Sequence, residues 1–198
     1  EEIGDKLWIG RCVRSFGYKY SDTRNIDKAL EFYEKSYLIA QEIDDKEGMA
    51  SSLNSIAFMY AKDGKYDKST EYCSRSLNIN ETLGDKPSMG RGLMNIGNLH
   101  LTKGDYEKAL NYYDKSLAIQ KEIGDNFGMG MLLQNIGYVH ESRGDYSKAL
   151  KFYNSSLTMR QDLGDKAGER YCLMQTGFIY INQGKYNKAL DYFERALN

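Results

Sequence analysis

The sequence predicts an all-α chain, an α-solenoid of five helix-turn-helix repeats with about ten antiparallel helices. Three observations carry this reading. A 40-residue unit returns along the chain: LMNIGNLHLTKGDYEKALNYYDKSLAIQKEIGD starts at Leu93 and LQNIGYVHESRGDYSKALKFYNSSLTMRQDLGD at Leu133. It returns again from Leu173, and more loosely from Leu53 and Val13. Inside the unit, Leu93, Ile96, Gly97 and His100 keep the i, i+3, i+4, i+7 spacing of one helix face. The pairs Gly84-Asp85, Gly124-Asp125 and Gly164-Asp165 punctuate the copies.

The first helix of the unit ends at Lys103-Gly104-Asp105. A second stripe then runs through Tyr106, Ala109, Leu110, Tyr113, Ser116 and Leu117. Two short helices cannot bury their stripes alone, so neighbouring copies must stack. Gly97, Ala109 and Ser116 are small where helices approach closely. Tyr66, Tyr106, Tyr146 and Tyr186 open the second helices, where a ring fills space beside the tight turn. At each junction, glycine supplies the left-handed residue after a helix end. Aspartate then caps the next helix and suits its dipole. The single proline, Pro87, follows one such aspartate, in a first turn where its missing N–H costs little.

Here the chain resembles a known family. Leu93, Gly97, His100, Gly104, Tyr106, Ala109, Tyr113 and Ser116 match the spacing of the tetratricopeptide repeat (TPR). The usual repeat has about 34 residues. The longer unit found here is similar to that of Partner of Inscuteable proteins, kinesin light chains and many bacterial signalling proteins. The resemblance covers essentially the whole chain. It implies one curved, right-handed stack whose first helices line a concave groove.

The repeats are read as residues 1–44, 45–84, 85–124, 125–164 and 165–198, together one domain. In repeat one, Trp8, Cys12, Val13, Phe16, Gly17 and Tyr20 lie on the first helix. Its turn, Ser21 to Asn25, has no glycine, and Ile26 replaces the opening tyrosine. Trp8 either packs over the first helix pair or marks a contact with a preceding segment. Repeat two starts from Asp44-Asp45, so its left-handed position lacks glycine and the joint is expected to be weaker. There Ser69-Thr70 replaces the apolar pair seen at Ala109-Leu110, and Cys73 replaces Tyr113. Hydroxyls in place of apolar surface are expected to loosen this second helix. Repeat five stops at Asn198, inside a helical pattern, and leaves Leu190, Phe193 and Leu197 as an apolar end face. The sequence also begins without methionine, and reads as a segment of a longer chain. Weak end-to-end self-association is expected from the apolar face.

The 198 residues carry 27 basic and 28 acidic side chains, a net charge of −1. No whole-chain field draws nucleic acid or an anionic membrane. No apolar run of about eighteen residues spans a bilayer, and the residues show no secretory signal pattern. Cys12, Cys73 and Cys172 form no CxxC and no paired framework, which fits a reducing, cytoplasmic setting.

No catalytic pattern appears: there is no phosphate loop, HExxH or GxSxG. Gly90-Arg91-Gly92 lies in a helical pattern and lacks the GK[ST] ending. Asp105, Glu107 and Asp125 are accounted for by helix starts. His100 and His140 occupy one repeat position and read as packing residues in place of tyrosine. A metal site would want closer spacing and further ligands. No enzyme activity, cofactor or metal is expected. Lys28, Lys68, Lys108, Lys148 and Lys188 recur every 40 residues. They read as a solvated outer edge, the other reading being an anion-binding stripe.

The family resemblance implies that residues flanking the helix-packing glycine face the groove. These are Arg14, Asn54, Arg91, Met94, Asn95, Asn98, Gln134, Asn135, Tyr138 and Gln175, with Met131, Met174 and Phe178 beside them. Asn95 and Asn135 match an asparagine that, in the long-repeat family, hydrogen-bonds the backbone of an extended peptide. An amide donates and accepts together, which suits that task. The plainer reading is of polar residues in wet positions. Ser15, Ser55 and Gln175 depart from the asparagine. The methionines offer adaptable apolar contact, and Arg11, Arg14 and Arg91 make the N-terminal half basic. The expected function is a scaffold that holds a peptide or helix of a partner protein. The alternatives are a sensor segment of a larger signalling protein and a self-associating spacer.

Overall fold

A computed structural model describes residues 2–197. Among the described residues are ten helices and no strand. They are α1 (Glu2–Asp22), α2 (Ile26–Glu42), α3 (Lys46–Lys62), α4 (Tyr66–Leu83) and α5 (Lys86–Thr102). Then come α6 (Tyr106–Ile123), α7 (Asn126–Ser142), α8 (Tyr146–Asp162), α9 (Lys166–Asn182) and α10 (Tyr186–Leu197). Contacts group the chain into two units, Glu1–Lys103 and Gly104–Asn198.

The joints follow the sequence. The side chains of Asp45, Asp85, Asp125 and Asp165 each accept a hydrogen bond from a backbone N–H three residues on, at 2.9–3.1 Å. Each satisfies one of the free donors at its helix start. Gly84, Gly124 and Gly164 are left-handed, with φ of 67–70°. Where glycine is missing the backbone does the same: Asp44 has φ 54° and Arg24 φ 57°. Pro87 sits in the first turn of α5.

In the first unit, α1 packs on α2, α3 on α4, and α2 and α4 on the helices that follow them. Each hairpin is pinned across its middle by a buried serine. Ser36 Oγ donates to the Gly10 carbonyl at 2.9 Å, and Ser76 Oγ to that of Ala50 at 2.9 Å. Ser52 Oγ donates to Ser36 Oγ at 3.0 Å and ties α3 to α2. The core gathers Ala29, Tyr33, Ile56 and Met59. Trp8 does not pack over the first helix pair. Its ring is 67% exposed, with the Arg11 guanidinium 5.9 Å from its centre.

In the second unit, α7 pairs with α8 and α9 with α10, while α6 lies on α7 and α8 on α9. Ser156 Oγ donates to the Gly130 carbonyl at 2.8 Å, repeating the pin of the first unit. Ala149, Tyr153 and Ile179 form one core cluster, and Leu157, Cys172, Leu173 and Ala196 another. On α10, Leu190 and Leu197 are exposed, but Phe193 is partly covered and meets Phe178 edge-on at 5.3 Å. The expected apolar end face is therefore narrower than three side chains.

Candidate functional site

One packing device recurs inside these hairpins. A first-helix glycine faces a second-helix aromatic ring. Gly17 faces the Tyr33 ring, Gly137 that of Tyr153, and Gly177 that of Phe193. A Cβ on Gly137 would lie 2.8 Å from Tyr153 Cε1, and one on Gly177 2.6 Å from Phe193 Cε1. Only glycine leaves the ring room to lie against the helix. Tyr33 and Tyr153 are almost wholly buried. Burial raises the Tyr33 pKa to about 12 and Tyr153 further still. Tyr153 keeps its phenol satisfied by donating to Glu141 Oε2 at 2.6 Å.

Repeat two lacks both members of the pair. Ala57 stands where the glycine would be, and Cys73 where the ring would be. Its second helix, α4, nevertheless runs unbroken from Tyr66 to Leu83. Ser69 Oγ donates to the Ala57 carbonyl at 2.7 Å, so that hydroxyl is not left unmet. Between α3, α4 and α5 lies an open pocket of about 440 Å³. From α3 it is lined by Asn54, Phe58, Ala61 and Lys62. From α4 come Tyr66, Ser69 and Cys73, and from α5 Asn95, Asn98, Leu99 and Thr102.

The chemistry of this cavity is mixed. Its wall is apolar at Phe58, Ala61 and Leu99. Its rim carries three amides, Asn54, Asn95 and Asn98. The Asn54 Oδ1 atom is buried and has no hydrogen-bond partner, an arrangement that costs free energy. Lys62 Nζ lies 4.8 Å over the Phe58 ring and donates to the Ser21 carbonyl at 3.3 Å. Burial pushes the Cys73 thiol up to about 11, so it stays protonated near neutral pH and is no nucleophile.

The other sequence-selected residues are spread along the first helices. Arg14 borders a crevice of only about 10 Å³ with Lys6 and Arg11. Arg91 is exposed and donates from Nη2 to Ser88 Oγ at 2.9 Å, while Met94 is half-buried. In the second unit, Gln134 and Asn135 are half-buried and Tyr138 exposed on α7. On α9, burial raises the Tyr171 pKa, opposed by a side-chain hydrogen bond with half-buried Gln175. Thus the first unit gathers Asn54, Asn95 and Asn98 around one cavity, and leaves Arg14 and Arg91 apart from it.

Sequence reading missed two features. Tyr18 and Phe58 share the repeat position of Tyr138 and Phe178, and all four rings are 42–56% exposed. The cavity was missed as well.

His140 stacks on Phe152 with ring centres 5.4 Å apart, and burial lowers its pKa. Among the described residues, no group of three or more His, Cys, Asp or Glu is placed to hold a metal ion. No described helix is long and apolar enough to cross a membrane. Lys108 and Lys148 pair with Asp105 and Asp145 at 2.9 and 3.1 Å, and their side chains stay exposed.

By sequence, residues 48–122 and 128–198 match the tetratricopeptide repeat family. No curated protein matches the chain. Solved structures share its fold at low identity. BtubC (BKLC) from P. vanneervenii is 19% identical, with a TM-score of 0.84 over 98% of this chain and 87% of that one. A Signal Transduction ATPase with Numerous Domains, with a tetratricopeptide repeat sensor, from Pyrococcus horikoshii is 19% identical. Its TM-score is 0.85 over 96% of this chain and 30% of that one. A Rap protein complexed with Competence and Sporulation Factor is 19% identical. Its TM-score is 0.77 over 93% of this chain and 52% of that one.

Proposed function

The chain belongs to the tetratricopeptide repeat family, and on that premise we propose that it is a protein-interaction scaffold. It holds an extended segment of a partner protein on the faces of its first helices. The observation that carries this reading is the amide-rimmed cavity of the first unit. Asn54, Asn95 and Asn98 offer donors and acceptors beside apolar wall, as backbone and side chains of a peptide require. The exposed rings of Tyr18 and Phe58, and of Tyr138 and Phe178, add broad contact surface of low conformational cost. A Rap protein that shares this fold is complexed with Competence and Sporulation Factor, which supports the reading. With three free cysteines, two of them buried, a reducing cytoplasm is the proposed setting.

A second reading, a sensor segment within a larger signalling protein, draws on the sensor role printed for the Pyrococcus horikoshii protein. It keeps the same binding face and adds a response elsewhere.

The test is capture of a partner from the native host, then titration of that partner against wild type and Asn95→Ala. Weaker binding by the variant, with melting unchanged, supports the scaffold reading. Equal binding sinks it.

A further inference from the structure

We infer that the first-helix face of the first unit takes an acidic segment of the partner protein. This rests on the scaffold reading above and names the chemistry of what the scaffold holds. Arg11, Arg14 and Tyr18 keep the i, i+3, i+7 spacing of one face of α1. The same repeat positions are Ser51, Asn54 and Phe58 on α3, and Arg91, Met94 and Asn98 on α5. The three faces adjoin. Tyr18 Oη and Ser55 Oγ lie 3.4 Å apart, which brings α1 beside α3. Asn54 and Phe58 of α3 share the open pocket with Asn98 of α5. These positions hold three arginines and no carboxylate, in a chain whose 27 basic and 28 acidic residues nearly balance. The matching positions of the second unit are Met131, Gln134 and Tyr138 on α7, and Tyr171, Met174 and Phe178 on α9. They carry no full charge, so the basic character belongs to the first unit.

The arginines are not spent inside the fold. Arg11 is exposed, its guanidinium 5.9 Å from the Trp8 ring centre. Arg91 is exposed and donates to the neutral Ser88 hydroxyl. Arg14 is half-buried and shares a crevice with Asp45. That carboxylate is occupied as the cap of α3, where it accepts from the Gly48 N–H at 2.9 Å. Among the described residues, none of the three arginines forms an ion pair with a carboxylate. Lysines make such pairs in this unit instead, as Lys6 with Glu42, Lys65 with Asp63 and Lys103 with Asp67. Along these faces carboxylates come only a turn beyond, as Asp22 and Glu47 at helix ends. A partner carboxylate therefore meets guanidinium groups that are free to take it by two parallel hydrogen bonds. The Tyr18 and Phe58 rings and the exposed Asn95 amide lie beside them for the rest of the segment. A nucleic-acid strand would want a longer run of cations. The next one along α3, Lys62, is already held by the Ser21 carbonyl and the Phe58 ring.

The test is a random displayed peptide library, followed by titration of the peptides it selects. Wild type should enrich peptides rich in aspartate and glutamate. Their affinity should fall about 3–10-fold between about 0.05 and 0.5 M salt, as exposed charges are screened. Arg11→Gln/Arg14→Gln/Arg91→Gln should bind those peptides about tenfold more weakly, and should lose the acidic enrichment when panned itself. Lys28→Gln/Lys68→Gln/Lys108→Gln removes the same charge from the outer edge and should change neither result. If the triple arginine variant melts lower than wild type, Arg91→Gln alone is titrated, with a loss of roughly 2–5-fold expected. Peptides selected without acidic enrichment, or held equally by the arginine variants, would refute the acidic partner while the scaffold reading stands. An equal loss in the lysine variant would trace the effect to net charge and refute it too. An oligothymidylate strand bound more tightly than the selected peptides would make nucleic acid the partner and overturn both readings. No peptide selected by any form of the chain would also count against both.

Discussion

Gly137 lies directly beneath the ring of Tyr153, so that a Cβ added there would come within 2.8 Å of the ring. The neighbouring ring is fixed on its other side by Ala149 and Ile179 and at its tip by Glu141. Gly137→Leu should therefore destabilise by about 1–3 kcal/mol or more through overpacking. A melting temperature equal to wild type would show that the contact is soft.

The left-handed residues without glycine give a prediction of opposite sign. Asp44 has φ 54°, a conformation that costs an L-residue free energy. Asp44→Gly should stabilise by about 0.5–1 kcal/mol. At Gly64, with φ 74°, Gly64→Ala should destabilise by about 1 kcal/mol or more. Denaturant midpoints of the two variants should move in opposite directions.

His140 makes stability depend on pH. Burial against Phe152 lowers its pKa in the fold, so the unfolded chain binds the proton more readily. Its contribution is complete above the ordinary histidine value of about 6.5, and is lost as pH falls from there through the lowered folded value. His140→Tyr, the residue of the equivalent Tyr60 and Tyr180, should flatten part of that fall. Melting curves between about pH 5 and 8 read it out.

The face of α10 should self-associate weakly. Leu190 is 57% exposed and Leu197 87%, and apolar surface of this kind seeks cover. Light scattering should show a mass that rises with concentration, and Leu190→Lys/Leu197→Lys should abolish the rise. A constant mass in wild type would dismiss the idea.

Much of this molecule is legible in the sequence because its joints have simple chemistry. Gly-Asp pairs fix where one helix stops and the next is capped, and Asp44 could be named in advance as the joint without glycine. The amides Asn54, Asn95 and Asn98 were legible only through their repeat positions. What could not be read was the consequence of an absence. Replacing a tyrosine by Cys73 suggests a looser helix when α4 is considered alone. The pocket between α3, α4 and α5 draws its lining from three helices, so no one segment announces it. Likewise, nothing in the local sequence marks Asn54 Oδ1 as buried, since its burial depends on those same neighbours. For Trp8 two readings were open, and its exposure sets aside packing over the first helix pair.

The central claim is that first-helix amides hold a partner segment, and one titration tests it most directly. The captured partner is titrated against wild type, Asn54→Ala/Asn95→Ala and, as an outer-edge control, Lys108→Ala. Each lost hydrogen bond in a desolvated site is worth about 0.5–1.5 kcal/mol. The asparagine pair should therefore weaken binding about tenfold, while Lys108→Ala binds like wild type. All three should melt together within a few degrees. Wild-type affinity in the asparagine variant, with binding lost in Lys108→Ala, would place the working surface on the outer edge and contradict the account.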